Sequence, residues 1–266
     1  MIKYTIVAAL LSFVFSLATT AQSTGTYEGH VYVQNSDTMP YRLLLPVNYD
    51  IQKKYPLIVF LHGSGERGNN NTAQLYHGGD LFLNDSIRKN FPAIVVFPQC
   101  AANGRWANMR SRRDSLSGLR IITFPADLPP TKDMLLLQGL IKYLEKDYPV
   151  DKTKLYAGGL SLGGMGTYDL VRRMPGTFAA AFPICGAGNP QLARKMKRTS
   201  WWIFHGQRDS TVYVEYGRQM EEALKRASAN VKLTIYPDAG HNSWDSAFVE
   251  PGLFTWMFSN KLKRRK

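Results

Sequence analysis

Cysteine is scarce in this chain, with two residues among 266, Cys100 and Cys185. That excludes a small scaffold stapled by several disulfides. Each cysteine follows its own apolar, strand-like run, and strand ends set apart in a sheet lie outside the Cα window a disulfide tolerates. Two free, buried thiols are therefore expected. Acidic residues are also few, 20 against 33 Lys and Arg, for a net charge of +13. The surplus is concentrated in Arg110-Ser111-Arg112-Arg113, in residues 194–198 and in the tail 261–266. It fits an acidic partner or a solvated basic surface, and with no nucleic-acid motif beside it a nucleic-acid partner is not expected. No Gly-Lys-Ser or Gly-Lys-Thr follows the glycines of residues 63–68, so that loop does not read as a phosphate cradle. Internal repeats and low-complexity linkers are absent. The longest apolar run, residues 6–17, falls short of the roughly 20 residues needed to cross a bilayer.

That run has another reading. Lys3 precedes it, and Ala18-Thr19-Thr20-Ala21 follows it as a small-residue cleavage site. The three parts together predict a secretory signal peptide over residues 1–21, with export to a periplasmic or extracellular location. No stable membrane span is expected after cleavage. Residues 22–266 then read as one domain. Strand-like stretches at 27–33 and 39–45 open it as an antiparallel pair. Continuous apolar runs at 56–61, 93–97, 154–160, 178–184, 201–204 and 231–236 read as strands buried on both faces. Helical patterns fall at 81–89, 131–147, 162–173, 214–227 and 253–261, and residues 101–130 lack periodicity. Strands alternating with helices predict an α/β fold, with a mostly parallel central sheet covered on both faces.

The most specific motif lies where a strand gives way to a helix: Gly159-Leu160-Ser161-Leu162-Gly163. A serine on such a turn is presented as a nucleophile, and the flanking glycines let the backbone bend without Cβ clashes. A serine hydroxyl needs a neutral imidazole to take its proton, and an acid to orient that imidazole. Two later strands end in His205-Gly206-Gln207-Arg208-Asp209 and Asp238-Ala239-Gly240-His241. Functional groups gather at the carboxyl ends of parallel strands, so Ser161, Asp209 and His241 read as nucleophile, acid and base. Asp238 is the rival acid, but it is too close in sequence to His241 to reach the far ring nitrogen comfortably. The oxyanion of a tetrahedral intermediate needs fixed donors. Leu162 N–H is one, and Ser64 N–H or Gly65 N–H, in the loop after the first buried strand, is the other. The remaining histidines, 30, 62, 77 and 205, read as structural.

Several motifs together carry a family resemblance: His62-Gly63-Ser64-Gly65-Glu66-Arg67-Gly68, Pro98-Gln99-Cys100, the Ser161 turn, Pro183-Ile184-Cys185-Gly186, Phe204-His205-Gly206 and Gly240-His241-Asn242-Ser243-Trp244. Over residues 41–260 the chain resembles secreted bacterial esterases of the phospholipase/carboxylesterase and predicted-peptidase group of α/β-hydrolases. It is similar to feruloyl and acetyl-xylan esterases and, more remotely, to the prolyl-oligopeptidase catalytic domain. The resemblance implies serine ester hydrolysis without metal or organic cofactor, on a small-molecule or polysaccharide-linked ester. The arginine-rich segment 101–130 departs from the pattern. It is expected to wall the substrate pocket with Trp106 and Arg110, opposite Trp244, and its charge would suit an acidic substrate; the competing reading is a surface loop whose tryptophan packs down. A serine peptidase and a non-catalytic carbohydrate-binding protein are the alternative functions.

Overall fold

The computed structural model describes residues 26–263 except 117 and 119. The expected signal peptide and the last three residues of the basic tail lie outside the described residues. The chain opens with β1 (Glu28–Gln34), β2 (Asp37–Leu44) and β3 (Tyr55–Leu61), followed by α1 (Gly79–Leu83), α2 (Asp85–Asn90) and β4 (Ile94–Pro98). A small hairpin, β5 (Arg110–Arg113) and β6 (Arg120–Thr123), precedes α3 (Lys132–Asp147). Then come β7 (Val150–Leu160), α4 (Leu162–Arg173), β8 (Ala180–Ile184), β9 (Ser200–Gly206), α5 (Glu215–Arg226) and β10 (Val231–Tyr236). Two short helices, α6 (Trp244–Phe248) and α7 (Leu253–Ser259), close the fold.

Eight strands form one sheet in the order β1-β2-β4-β3-β7-β8-β9-β10. The first two are antiparallel, β2 also meets β4 antiparallel, and every pair from β4 to β10 is parallel. The pleat explains why these strands read as unbroken apolar runs. Leu57, Val59 and Leu61 of β3 enter one core, with α3, α4 and α5. Ile58 and Phe60, between them, enter the other core, with Phe82 of α1 and Phe254 of α7. A strand covered on both sides has no polar face to show in its sequence.

Two local departures from the sequence reading have clear causes. The single helix expected at 81–89 is two, because Asn84 leaves helical geometry and its side chain accepts from the Ser86 and Ile87 N–H groups, capping α2. The segment 101–130 is not irregular throughout. Its hairpin strands pair from Arg110 with Thr123 to Arg113 with Arg120, although every residue of β5 is exposed. Ile122 alone of these eight residues is buried, and its N–H donates to Tyr216 Oη of α5 at 2.7 Å.

The α4 helix sits directly on strand backbone. A Cβ on Gly163 would overlap the Leu61 carbonyl oxygen, and one on Gly164 would lie 2.7 Å from Ile184 O. No flexible side chain lies between them to give way. Gly163→Ala should lower stability by at least about 1–3 kcal/mol, the usual cost of overpacking. Denaturant unfolding would show it as a lower midpoint at unchanged slope.

Candidate active site

Ser161 stands between β7 and α4 at φ 52° and ψ −115°, a conformation that costs an ordinary residue about 1–3 kcal/mol. Two main-chain hydrogen bonds hold it there. Ser161 N–H donates to Ile184 O at 2.9 Å, and Met165 N–H donates to Ser161 O at 3.0 Å. The turn lifts the hydroxyl clear of the sheet, where Ser161 Oγ lies 2.9 Å from His241 Nε2. On the far side of the ring, His241 Nδ1 donates to Asp209 Oδ2 at 2.8 Å. The imidazole is therefore held at both nitrogens, between the carboxylate and the serine hydroxyl. Asp238 takes no part: it pairs with Arg208 at 2.6 Å on the surface.

Asp209 is buried, which by itself would raise its carboxyl pKa. Hydrogen bonds from His205, His241 and the Val212 N–H outweigh that and hold it far below the ordinary carboxylate range. Thr211 N–H and Val212 N–H both donate to Oδ1 at 2.9 Å. His205 lies behind the acid. Its Nε2–H donates to Val212 O at 2.7 Å and passes 3.5 Å from Asp209 Oδ2, tying the acid loop to the end of β9. Gly206 next to it has no Cβ because the Gly240 carbonyl occupies that space, so the acid and histidine loops touch backbone to backbone.

The loop after β3 is braced from beneath. His62 accepts from Cys100 N–H through Nε2 at 2.9 Å and donates through Nδ1 to Gly63 O at 2.6 Å. Burial lowers its pKa to about 4, so it is neutral. Gln99 ties down the rest, donating to Glu66 O and Asn70 Oδ1 and accepting from Asn71 N–H. Among the described residues the Ser64 and Gly65 N–H groups find no backbone acceptor, and both residues are exposed. Leu162 N–H, in the first turn of α4, has no intrahelical acceptor.

Trp106 does not wall a pocket. It is fully buried, packs on Gly166 of α4, and its indole N–H donates to His62 O at 3.1 Å. A large aromatic in an aperiodic segment reads as a ligand platform, but here the pull is a buried carbonyl needing a donor. Arg110 lies on the exposed strand β5 and makes no hydrogen bond or ion pair to the triad among the described residues. Trp244 stands edge-on to the His241 ring at 5.6 Å. His77, read from sequence as structural, packs against Trp244 with ring centres 4.9 Å apart and planes tilted by 50°; nothing in its sequence neighbourhood signals this contact. Cys100 and Cys185 are free and buried. Among the described residues, potential metal-ligand atoms converge within 4.8 Å only at Cys185, Asp209 and His241. Asp209 and His241 are bonded to each other, and burial pushes the Cys185 thiol pKa far up. The set presents a neutral thiol behind a hydrogen-bonded pair, which is a poor cage for a metal.

The family model described as dienelactone hydrolase family matches residues 129–250. A probable feruloyl esterase C of Aspergillus terreus is 26% identical over 195 residues, covering 71% of this chain and 61% of the relative. A bifunctional acetylxylan esterase/xylanase of Neocallimastix patriciarum is 25% identical over 130 residues, covering 49% and 19%. Among solved structures, that of a thermostable esterase superposes with a TM-score of 0.78 at 29% identity, covering 88% of this chain and 63% of the other. The chain spans less than two thirds of the length of each of these relatives. The fold is that of an α/β-hydrolase, and the matches lie among esterases of that fold.

Two outcomes follow from this geometry. Trp106→Phe leaves His62 O without its donor and should cost about 1–3 kcal/mol of stability. It should leave the ratio of rates on aryl and acetyl esters unchanged, and an altered ratio would return Trp106 to the pocket wall. Because the folded Asp209 pKa lies below its ordinary value of 3.8, its ionised form stabilises the fold above that pH and the contribution fades as pH falls below it. The melting temperature of Asp209→Asn should therefore stay a constant distance below that of the parent from pH 6 down to about 4, and close on it only as pH falls further, the ordinary carboxylate value marking the upper edge of the window.

Proposed function

We propose that the protein is a serine hydrolase of carboxylic esters that works through an acyl-enzyme on Ser161. One observation carries this reading: a single imidazole bridges Ser161 Oγ at 2.9 Å and Asp209 Oδ2 at 2.8 Å. In the reaction, His241 Nε2 takes the hydroxyl proton as Oγ attacks the ester carbonyl. Asp209 holds the ring in its tautomer and stabilises the imidazolium that forms. Leu162 N–H, with Ser64 N–H or Gly65 N–H, takes the oxyanion. The intermediate collapses when His241 returns the proton to the departing alcohol oxygen. A water molecule, deprotonated by the same nitrogen, then frees the acid and regenerates the serine.

The substrate class is a small acyl or polysaccharide-linked acyl or feruloyl ester. The names of the relatives support it, as does an aromatic ring beside the catalytic imidazole. Export is part of the same reading and rests on the pattern of residues 1–21. Among the described residues no helix is long and apolar enough to cross a membrane.

The test compares the protein from residue 22 onward with Ser161→Ala on nitrophenyl acetate, butyrate and octanoate, a feruloyl ester and a prolyl anilide. Ester turnover should exceed anilide turnover, and Ser161→Ala should lower kcat roughly 10⁴- to 10⁶-fold. Activity that survives the substitution would sink the mechanism. Faster anilide turnover would make the protein a peptidase.

A further inference from the structure

Three aromatic rings lead outward from the catalytic imidazole to bulk solvent. Trp244 is 5.6 Å from His241, His77 is 4.9 Å from Trp244, and Tyr76 is 4.7 Å from His77, with the outer two rings nearly perpendicular. Tyr76 ends the row with 80% of its surface exposed. Its hydroxyl has no hydrogen-bond partner among the described residues. A tyrosine commonly buries its ring and leaves its hydroxyl wet; this one leaves the whole ring in water at the edge of a candidate active site.

The segment that presents Tyr76 is firmly seated. Gln74, two residues earlier, is fully buried and donates to Asn71 Oδ1 at 2.7 Å. Gly78, two residues later, has φ +89°, and the Phe248 ring lies 2.9 Å from where its Cβ would be. Glu66 is mostly buried beneath, with one carboxylate oxygen 3.9 Å from His77 Nε2. The exposed ring therefore projects from a turn fixed on both sides.

We propose that Tyr76, His77 and Trp244 form a stacking platform for a neutral sugar ring on the alcohol side of the scissile ester. The proposal rests on the serine-esterase reading, and the direction follows from the reaction. The acyl carbonyl is held by Leu162 N–H and the loop after β3, whereas the departing oxygen takes its proton from His241 Nε2. The alcohol therefore lies over the imidazole, and the row of rings starts at that imidazole. A sugar offers flat C–H faces to aromatic rings and hydroxyls to water, matching a platform half in solvent. Glu66 places a carboxylate below the middle ring, which disfavours an anionic sugar at this position.

The test uses pairs of esters that share an acid, ferulate or acetate, joined either to a pentose or to methanol. Tyr76→Ala should raise KM about 3- to 10-fold on the pentose ester at unchanged kcat, the range expected for one aromatic contact. It should leave the methyl ester unaffected, and Tyr76→Phe should behave as the parent on both. Equal losses on both esters would assign the platform to the acyl group, and no change on either would leave Tyr76 an ordinary surface residue; each overturns the proposal. Xylotriose binding to Ser161→Ala, followed by tryptophan fluorescence, reads the platform without turnover. Adding Tyr76→Ala should weaken that binding by a similar factor, and unchanged binding would overturn the proposal. The esterase reading fails separately, on turnover that survives Ser161→Ala.

Discussion

The architecture of this site depends on one steric condition: the first turn of α4 must touch the ends of β3 and β8 with no side chain between them. Gly163 against the Leu61 carbonyl and Gly164 against Ile184 O meet it. The contact fixes the angle at which the chain turns from β7 into α4, and so holds Ser161 at φ 52°. The same contact brings the first turn of α4 against the end of β3, and so sets Leu162 N–H near the loop proposed to carry the second oxyanion donor. A looser junction would relax the serine and separate the two donors together.

Around that junction the polar groups are arranged so that no loop stands alone. The loop after β3 hangs from the end of β4 through His62 and Gln99, and from residue 106 through the Trp106 indole. Asp133, in the first turn of α3, accepts from the Ala101 and Arg105 N–H groups and so fixes the segment that carries Trp106. His205 does the corresponding work for the acid loop. Two of the five histidines thus act as crossbraces, and the one that meets Ser161 is held by the frame they stiffen. Preorganisation of this kind keeps donors in place before charge develops.

Much of this was legible in the sequence, for identifiable reasons. Buried parallel strands announce themselves as apolar runs, and the three side chains that meet across His241 each follow one. What escaped depends on distant partners. The β5 strand has no apolar face, because pairing with β6 and the Tyr216 hydroxyl hold the hairpin rather than burial. Asn84 divides a helix by a local cap that competes with an otherwise helical pattern. Trp106 turns inward toward a carbonyl 44 positions away in sequence, and His77 finds Trp244 across the fold. Neither contact has a periodic trace along the chain.

The placement of the two thiols has a consequence for how the molecule is made. Cys100 follows β4 and Cys185 follows β8, and β3 and β7 lie between those strands. At about 4.8 Å per strand the two positions are separated by roughly 14 Å, about twice the longest span a disulfide bridges. Both thiols are also sealed from solvent. Folding therefore requires no oxidant, no disulfide isomerase and no particular redox compartment. The same native state is accessible in a reducing cytosol and outside the cell, held by packing and hydrogen bonds rather than by a covalent crosslink.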